Sequence, residues 1–260
     1  MAFVHHKTNL TIDQIRKELK STTDVESGTG FLYFFLNYVY VEHPRGYVCM
    51  KDEAFEWQKA ASTAFLESRY IISKKRRQVG YSTFVGAYCL WRALFFPSQI
   101  INIVSLKLQD STTFLRRTKF IYDHLPVWMR QNKSEDMKTS MTFSHNGSKI
   151  TSLPLTENPA RGETLSLFVI DEFADMKGAS GVLSAGVPAL AAGSTLPWTN
   201  KSLPSQLFII STYPDDNPTS NEYVRILNEA REGKNTAYAV IDVTVDDIPY
   251  YQDEGWLAEQ

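Results

Sequence analysis

Four short segments of this chain are apolar almost without interruption, and each runs straight into polar or charged residues. Residues 70–73 lead into Lys74 and Lys75, residues 100–106 into Lys107, residues 165–170 into Asp171-Glu172, and residues 206–210 into Ser211-Thr212. A strand that shows one face to water alternates in polarity, whereas a strand covered on both faces does not. Helical patterns fill the intervals: residues 53–67, residues 82–96 stopped by Pro97, a helix capped by Asp110 and running to about His124, and residues 221–232. The expected fold class is therefore α/β, a mostly parallel central sheet flanked by helices on both faces. In such sheets ligands sit beyond the carboxyl ends of the strands. The functional residues are thus expected immediately after the apolar segments.

The rest of the chain is less constrained. Residues 11–19 read as a helix capped by Thr11, and residues 237–243 as a last strand. The apolar stretch 31–41 contains Asn37 and is too short to cross a bilayer, so it is expected in the core. Two short strands flank His145-Asn146-Gly147-Ser148, where Asn-Gly signals a hairpin. Residues 178–205 are rich in Gly, Ala, Ser and Pro and read as an irregular excursion with one short helix. With 43% of its 260 residues hydrophobic, the chain is not disordered. Twenty-seven basic against 29 acidic residues exclude a uniformly basic nucleic-acid coat, though not a local patch. Cys49 and Cys89 are too few for a cysteine-rich metal site. No secretion signal or membrane span is apparent, so no membrane association is expected and the protein is expected to be soluble and intracellular.

The segment Lys74-Lys75-Arg76-Arg77-Gln78-Val79-Gly80-Tyr81-Ser82-Thr83 joins a strand to a helix, the position of a phosphate-binding loop. Against the pattern G-x-x-x-x-G-K-[ST], Gly80 and Ser82 fit, but Tyr81 stands at the lysine position and Lys75 at the first glycine. The missing lysine's task is to bring a cation to the β- and γ-phosphates. A long side chain folding back from the loop's start can do that, and Lys75 is the candidate over Lys74, with Arg77 as a second cation. Ser82 would coordinate Mg²⁺. From the loop alone, a phosphate cradle and a solvated basic turn stand level.

The matching half is the apolar run ending in Asp171-Glu172. An aspartate there holds Mg²⁺ and a glutamate activates the attacking water in nucleotide hydrolases; an acidic helix cap is the plainer alternative. Ser211-Thr212 end the next strand and would face the γ-phosphate across the same sheet edge, as in the coupling motif of helicase-like translocases.

Taken together, these motifs resemble the ATPase domain of the large terminase subunit, the DNA-packaging motor of tailed bacteriophages and herpesviruses. That family's loop commonly reads R-Q-x-G-K-[ST], and Arg77-Gln78-Val79-Gly80-Tyr81-Ser82 follows it except at Tyr81. Some terminases share that departure, with the lysine at the loop's start, where Lys75 lies. The resemblance spans residues 55–243 and implies an adenine-recognising glutamine at Gln58 and an arginine finger at Arg161, acting on a neighbouring subunit's ATP. It implies cleft contacts along 75–83, including Arg76, Gln78, Val79 and Thr83. It further implies a P-loop ATPase domain at 53–245, an N-terminal extension at 1–52 packed on it, and at 246–260 the start of a linker to a nuclease domain.

The expected function is hydrolysis of Mg-ATP to drive double-stranded DNA into a procapsid. Expected partners are DNA, the portal protein, the small terminase subunit and further copies in a ring (a pentamer), with the isolated domain monomeric. The expected location is the host cytoplasm, with transient docking on the procapsid. A helicase-like translocase, or a nucleotide-binding module with catalysis lost through Tyr81, are the alternatives. Lys107, Arg116, Arg117 and Lys119 form a basic group for which solvation is the expected role.

Overall fold

The computed structural model describes residues 11–21, 30–43, 46–156, 163–195, 203–214, 221–244 and 246–248. Helix α1 (Ile12–Leu19) starts with a reciprocal cap, in which Thr11 Oγ1 accepts from Gln14 N and Gln14 Oε1 accepts from Thr11 N. Helix α2 (Gly30–Tyr38) is the apolar stretch, with Phe31, Phe34 and Phe35 buried. Strands β1 (Tyr40–His43) and β2 (Gly46–Cys49) form an antiparallel hairpin. The helix expected over 53–67 is two, α3 (Met50–Glu53) and α4 (Glu56–Glu67), because Ala54 and Phe55 are extended.

Then come β3 (Tyr70–Lys74), α5 (Tyr81–Phe95), β4 (Ile100–Ser105) and α6 (Leu108–Asp123). Helix α6 begins earlier than expected. Lys107 occupies the cap position and Asp110 lies within the first turn, where its charge favours the helix dipole. Strands β5 (Lys133–Met137), β6 (Ser140–Phe143) and β7 (Lys149–Pro154) follow, with Gly147 at φ +71° in the turn between β6 and β7. After β8 (Leu167–Asp171) and a 3₁₀ turn (Phe173–Asp175), the chain forms α7 (Ala179–Thr195), β9 (Gln206–Ser211), α8 (Glu222–Arg231) and β10 (Tyr238–Asp242).

Eight strands make one sheet in the order β10-β3-β9-β8-β4-β7-β6-β5. All neighbours from β10 to β7 are parallel, and β6 and β5 add an antiparallel edge. Both faces are covered. Leu167 and Val169 of β8 join the core under α2, α4 and α5, while Phe168 and Ile170 join the core under α7 and α8. This two-sided burial is why β8 carries no polar alternation. Phe31 of α2 packs against Phe65, Phe84, Tyr88 and Trp91, so the segment before residue 53 shares the core of α4 and α5.

The irregular excursion expected over 178–205 is mainly α7, a correction. Its small residues look like loop composition, but they let the helix lie close on the sheet. A Cβ at Gly186 would fall 2.2 Å from the Phe168 ring. Residues 196–202, residues 157–162 with Arg161, and the expected linker beyond 248 lie outside the described residues. Among the described residues, no helix is long and apolar enough to cross a membrane.

Candidate active site

The sheet register brings three chain segments to one point. Lys74 of β3 pairs with Ser211 of β9, and Ile210 of β9 pairs with Asp171 of β8. The residues just beyond, Lys75, Thr212 and Glu172, therefore leave adjacent strands at the same sheet edge. They line a cleft of about 670 Å³ together with the loop 76–83, Asp171 and Asp175.

The loop's backbone is shaped for an anion. Gln78 and Gly80 have φ of +60° and +74°, and Gly80 occupies the cap position of α5 with no capping side chain. The first residues of α5 line the cleft and no side chain caps their amides, so the positive end of the helix adjoins it. Arg76, Arg77 and Gln78 are exposed on the cleft wall, and Ser82 and Thr83 are half-buried there.

Lys75 is 8% exposed, and its Nζ donates to Glu172 Oε1 at 2.6 Å. The other Glu172 oxygen accepts from Thr212 N at 3.2 Å and from Thr212 Oγ1 at 3.3 Å. Burial alone would raise the Glu172 pKa, but the Lys75 charge and the Thr212 bonds hold it below the usual carboxylate range. The Glu172 backbone is left-handed, φ +56° and ψ +47°, a conformation that costs a non-glycine residue about 1–3 kcal/mol. Lys74, by contrast, lies over the Tyr213 ring and is not part of the cleft wall.

Asp171 differs from its neighbour. Its Oδ1 is buried without a hydrogen-bond partner, and burial pushes its carboxyl up to about 6 against the pull of Lys75. A buried, unpaired carboxylate oxygen beside a cleft hydroxyl, Ser82, fits a hard divalent cation that keeps water and phosphate among its ligands. The raised pKa has a stability consequence. A group titrating higher in the folded protein contributes stability below its ordinary pKa of 3.8 and loses it as pH rises through about 6. The shift corresponds to roughly 3 kcal/mol. Denaturant unfolding of the nucleotide- and metal-free protein should therefore show Asp171→Asn gaining stability relative to the parent between pH 4 and pH 7. A difference that is flat with pH would refute the buried, unpaired carboxylate.

Several expected site residues are not brought to the cleft by their side chains. The Tyr81 side chain is 2% exposed, stacked on Trp57 with centroids 5.2 Å apart and hydrogen-bonded to Ser73, so only its backbone faces the loop. The Val79 side chain is also buried in the core. Gln58 is buried, is not part of the described cleft wall, and its Oε1 accepts from Phe55 N at 3.0 Å, closing the first turn of α4. Ser211 is fully buried, and its Oγ accepts from Ala174 N at 3.1 Å, bracing the turn after Glu172. Arg161 lies outside the described residues.

The basic group on α6 separates into three fates. Arg116 pairs with Glu42 at 3.3 Å, Lys119 with Asp136 at 2.6 Å, and Arg117 lines the cleft with Gln109, Asp110 and Thr113. Arg117 is among the cleft residues, with Gln109, Asp110, Thr113 and Asp175, that sequence reasoning did not place there. Asp110, Thr113 and Arg117 are spaced three and four apart on the helix after β4, and that spacing was the available signal.

No protein-family model matches the chain. The structure is similar to the HK97 bacteriophage large terminase, with a TM-score of 0.64 at 10% identity, over 88% of this chain and 50% of that one. It is similar also to the large terminase ATPase domain of Thermus phage P74-26, with a TM-score of 0.59 at 12% identity, over 78% of this chain and 86% of that domain. The chain has the fold of a large terminase ATPase domain. A third similar structure, the large terminase of a thermophilic bacteriophage in complex with ADP, matches with a TM-score of 0.56 at 13% identity, over 79% of this chain and 49% of that one. The same phage's terminase is also known in complex with ATP-gamma-S. This chain spans about half the length of the complete terminases it matches.

Proposed function

We propose that the chain is the ATPase motor of a viral DNA-packaging machine, hydrolysing Mg-ATP to move double-stranded DNA into a procapsid. The observation that carries this reading is the convergence of Lys75, Asp171, Glu172 and Thr212 around a phosphate-shaped loop at the ends of three adjacent strands. Similar folds that hold ADP or ATP-gamma-S support it.

In this reading the phosphates enter over the amides of residues 78–83 and compete for the Lys75 ammonium. Lys75 then leaves Glu172 Oε1 for a phosphate oxygen, and Glu172 turns to a water held in line with the γ-phosphorus. Glu172 accepts the water's proton while the water oxygen bonds to phosphorus. The bond from phosphorus to the β–γ bridging oxygen breaks, and ADP leaves with the electron pair. Asp171 and Ser82 would hold Mg²⁺, which when bound neutralises phosphate charge. Thr212 stays on Glu172, so movement of that carboxylate is felt by β9. Arg77 adds a second cation to the phosphates.

Arg161 serves the ATP of the next subunit in a ring docked on the portal. The isolated domain is therefore a weak ATPase at low concentration. Phosphate release measured over a hundredfold range of protein concentration should rise more steeply than linearly. Equal specific activity at every dilution would overturn the role of Arg161, and no release at any concentration would overturn the hydrolase.

A further inference from the structure

The first turn of α8 touches each of the three segments that meet at the cleft, and the motifs account for none of these contacts. Asn221 caps α8, its Oδ1 accepting from Tyr223 N at 3.0 Å. The other half of the same amide turns away from the helix. Its Nδ2 donates to Ala174 O, in the 3₁₀ turn after Glu172, at 2.8 Å. Tyr223 is fully buried, and its hydroxyl donates to Ser73 O at 2.9 Å, with Ser211 O at 3.4 Å. Ser211 O also accepts from Lys75 N at 3.0 Å. Tyr223 thus fixes α8 to the ends of β3 and β9, and Asn221 reaches from that fixed base to the turn beyond β8.

Ala174 is held by both of its backbone groups. Its N–H donates to Ser211 Oγ at 3.1 Å, and its carbonyl accepts from Asn221. The turn needs such holding. Glu172 is a non-glycine residue at φ +56°, and a backbone of that kind persists only where its surroundings over-determine it. The Glu172 side chain makes its own ties to Lys75 and Thr212 in the cleft, and in the reaction proposed above the Lys75 tie is given up to phosphate. The ties at Ala174 are different. Neither Ala174 nor Asn221 is part of the described cleft wall, so a phosphate does not compete for them. With Thr212, they aim the carboxylate once Lys75 has left it.

Resting on the hydrolase reading above, we propose that Asn221 is a positioning residue for hydrolysis, its amide N–H holding the turn after Glu172 so that the carboxylate meets the attacking water. Asparagine suits the position in a way that other capping residues do not. Aspartate and serine also cap helices, but aspartate has no N–H to give, and serine has one hydroxyl on a shorter arm. Cap and clamp can therefore be separated.

Asn221→Asp and Asn221→Ser, each made in the full 260-residue chain, keep an acceptor for Tyr223 N and lose the donor to Ala174 O. Turnover of Mg-ATP, measured at the protein concentration of highest specific activity, should fall tenfold or more in kcat for both, since a small misplacement of a reacting group is costly. KM and calorimetric ATP affinity should stay within threefold, and the thermal midpoint near the parent's. The same substitution placed on Glu172→Gln separates a clamp from a general structural role. Residual phosphate release is read there with protein in excess over radiolabelled ATP. A clamp that acts only through Glu172 has nothing left to aim, so the Asn221→Asp, Glu172→Gln double variant should match Glu172→Gln within twofold. A further tenfold loss in the double variant would overturn the clamp. So would a loss of ATP affinity equal to the loss in kcat, which would mark a distorted cleft. An unchanged kcat in both single variants of an active parent would overturn it too, as would a loss confined to Asn221→Asp, which would assign the effect to the new charge. A parent with no turnover at any concentration refutes the hydrolase reading and the clamp with it.

Discussion

Glu172→Gln is expected to lower ATP turnover by about 10²–10⁴-fold, the range that a positioned general base supplies, while ATP binding remains within a few-fold. The substitution is close to isosteric. A glutamine oxygen still accepts from Thr212 N and Oγ1, so the left-handed turn at residue 172 and its tie to β9 survive. The proton acceptor is what disappears. The ion pair with Lys75 disappears as well, and this fixes the sign of the effect on binding. The Lys75 ammonium is paired with Glu172 at 2.6 Å, and in the proposed site an incoming phosphate would displace that carboxylate. A neutral side chain offers a weaker competitor, so binding should be unchanged or tighter. Phosphate release and calorimetric ATP titration, run on the same preparation, separate the two effects. Turnover retained above a tenth of the parent's would remove Glu172 from the role of base.

The frame around this site was legible in the sequence because it rests on two-sided burial. The runs ending at Ile170 and Ile210 have no alternation, and only a parallel sheet with helices on both faces covers them so completely. Placing Lys75, Asp171, Glu172 and Thr212 directly after those strands follows from the same rule. Side-chain direction was not legible. Ser211 and Thr212 are adjacent in sequence, yet alternation along a strand sends one hydroxyl to the turn at Ala174 and the other to Glu172. Gln58 fits both a recognition role and the closing of a helix turn three residues after Phe55, and sequence spacing does not choose between them.

Buried charge was hidden for a different reason. Arg92 is 1% exposed in α5, and its guanidinium donates to Gln99, Gln206 and the Pro204 carbonyl, none of them a carboxylate. No pattern of acidic residues announces such a partner set. Helix α7 reads in sequence as one short helix in an irregular stretch because its close approach to β8 requires the small residues that usually mark loops. The cleft face of α6 was missed because Arg117 follows Arg116 and precedes Lys119 by two residues, and those two have unrelated partners.

Lys75→Ala is expected to reduce turnover by about 10²–10³-fold, the loss typical when one preorganised electrostatic donor is removed, and unlike Glu172→Gln it should also weaken ATP binding. Both effects follow from one atom. Lys75 Nζ donates to Glu172 in the structure, and in the proposed loaded site it would hold the phosphates. Lys74→Ala tests the assignment by contrast, since that side chain lies on the Tyr213 ring and turnover should stay within twofold. A deeper test restores the usual motif. If position 81 faced the phosphates, Tyr81→Lys would rescue Lys75→Ala. Here the position faces the core, where Tyr81 stacks on Trp57 and bonds Ser73, so the double variant should remain inactive. It should also lose several kcal/mol of stability, because an unpaired ammonium replaces a buried ring. Steady-state phosphate release and thermal unfolding of the parent, the two single lysine variants and the double variant decide the matter. Rescue by Tyr81→Lys would mean that the loop reaches the phosphates from position 81 after all, and that Lys75 serves only to hold Glu172.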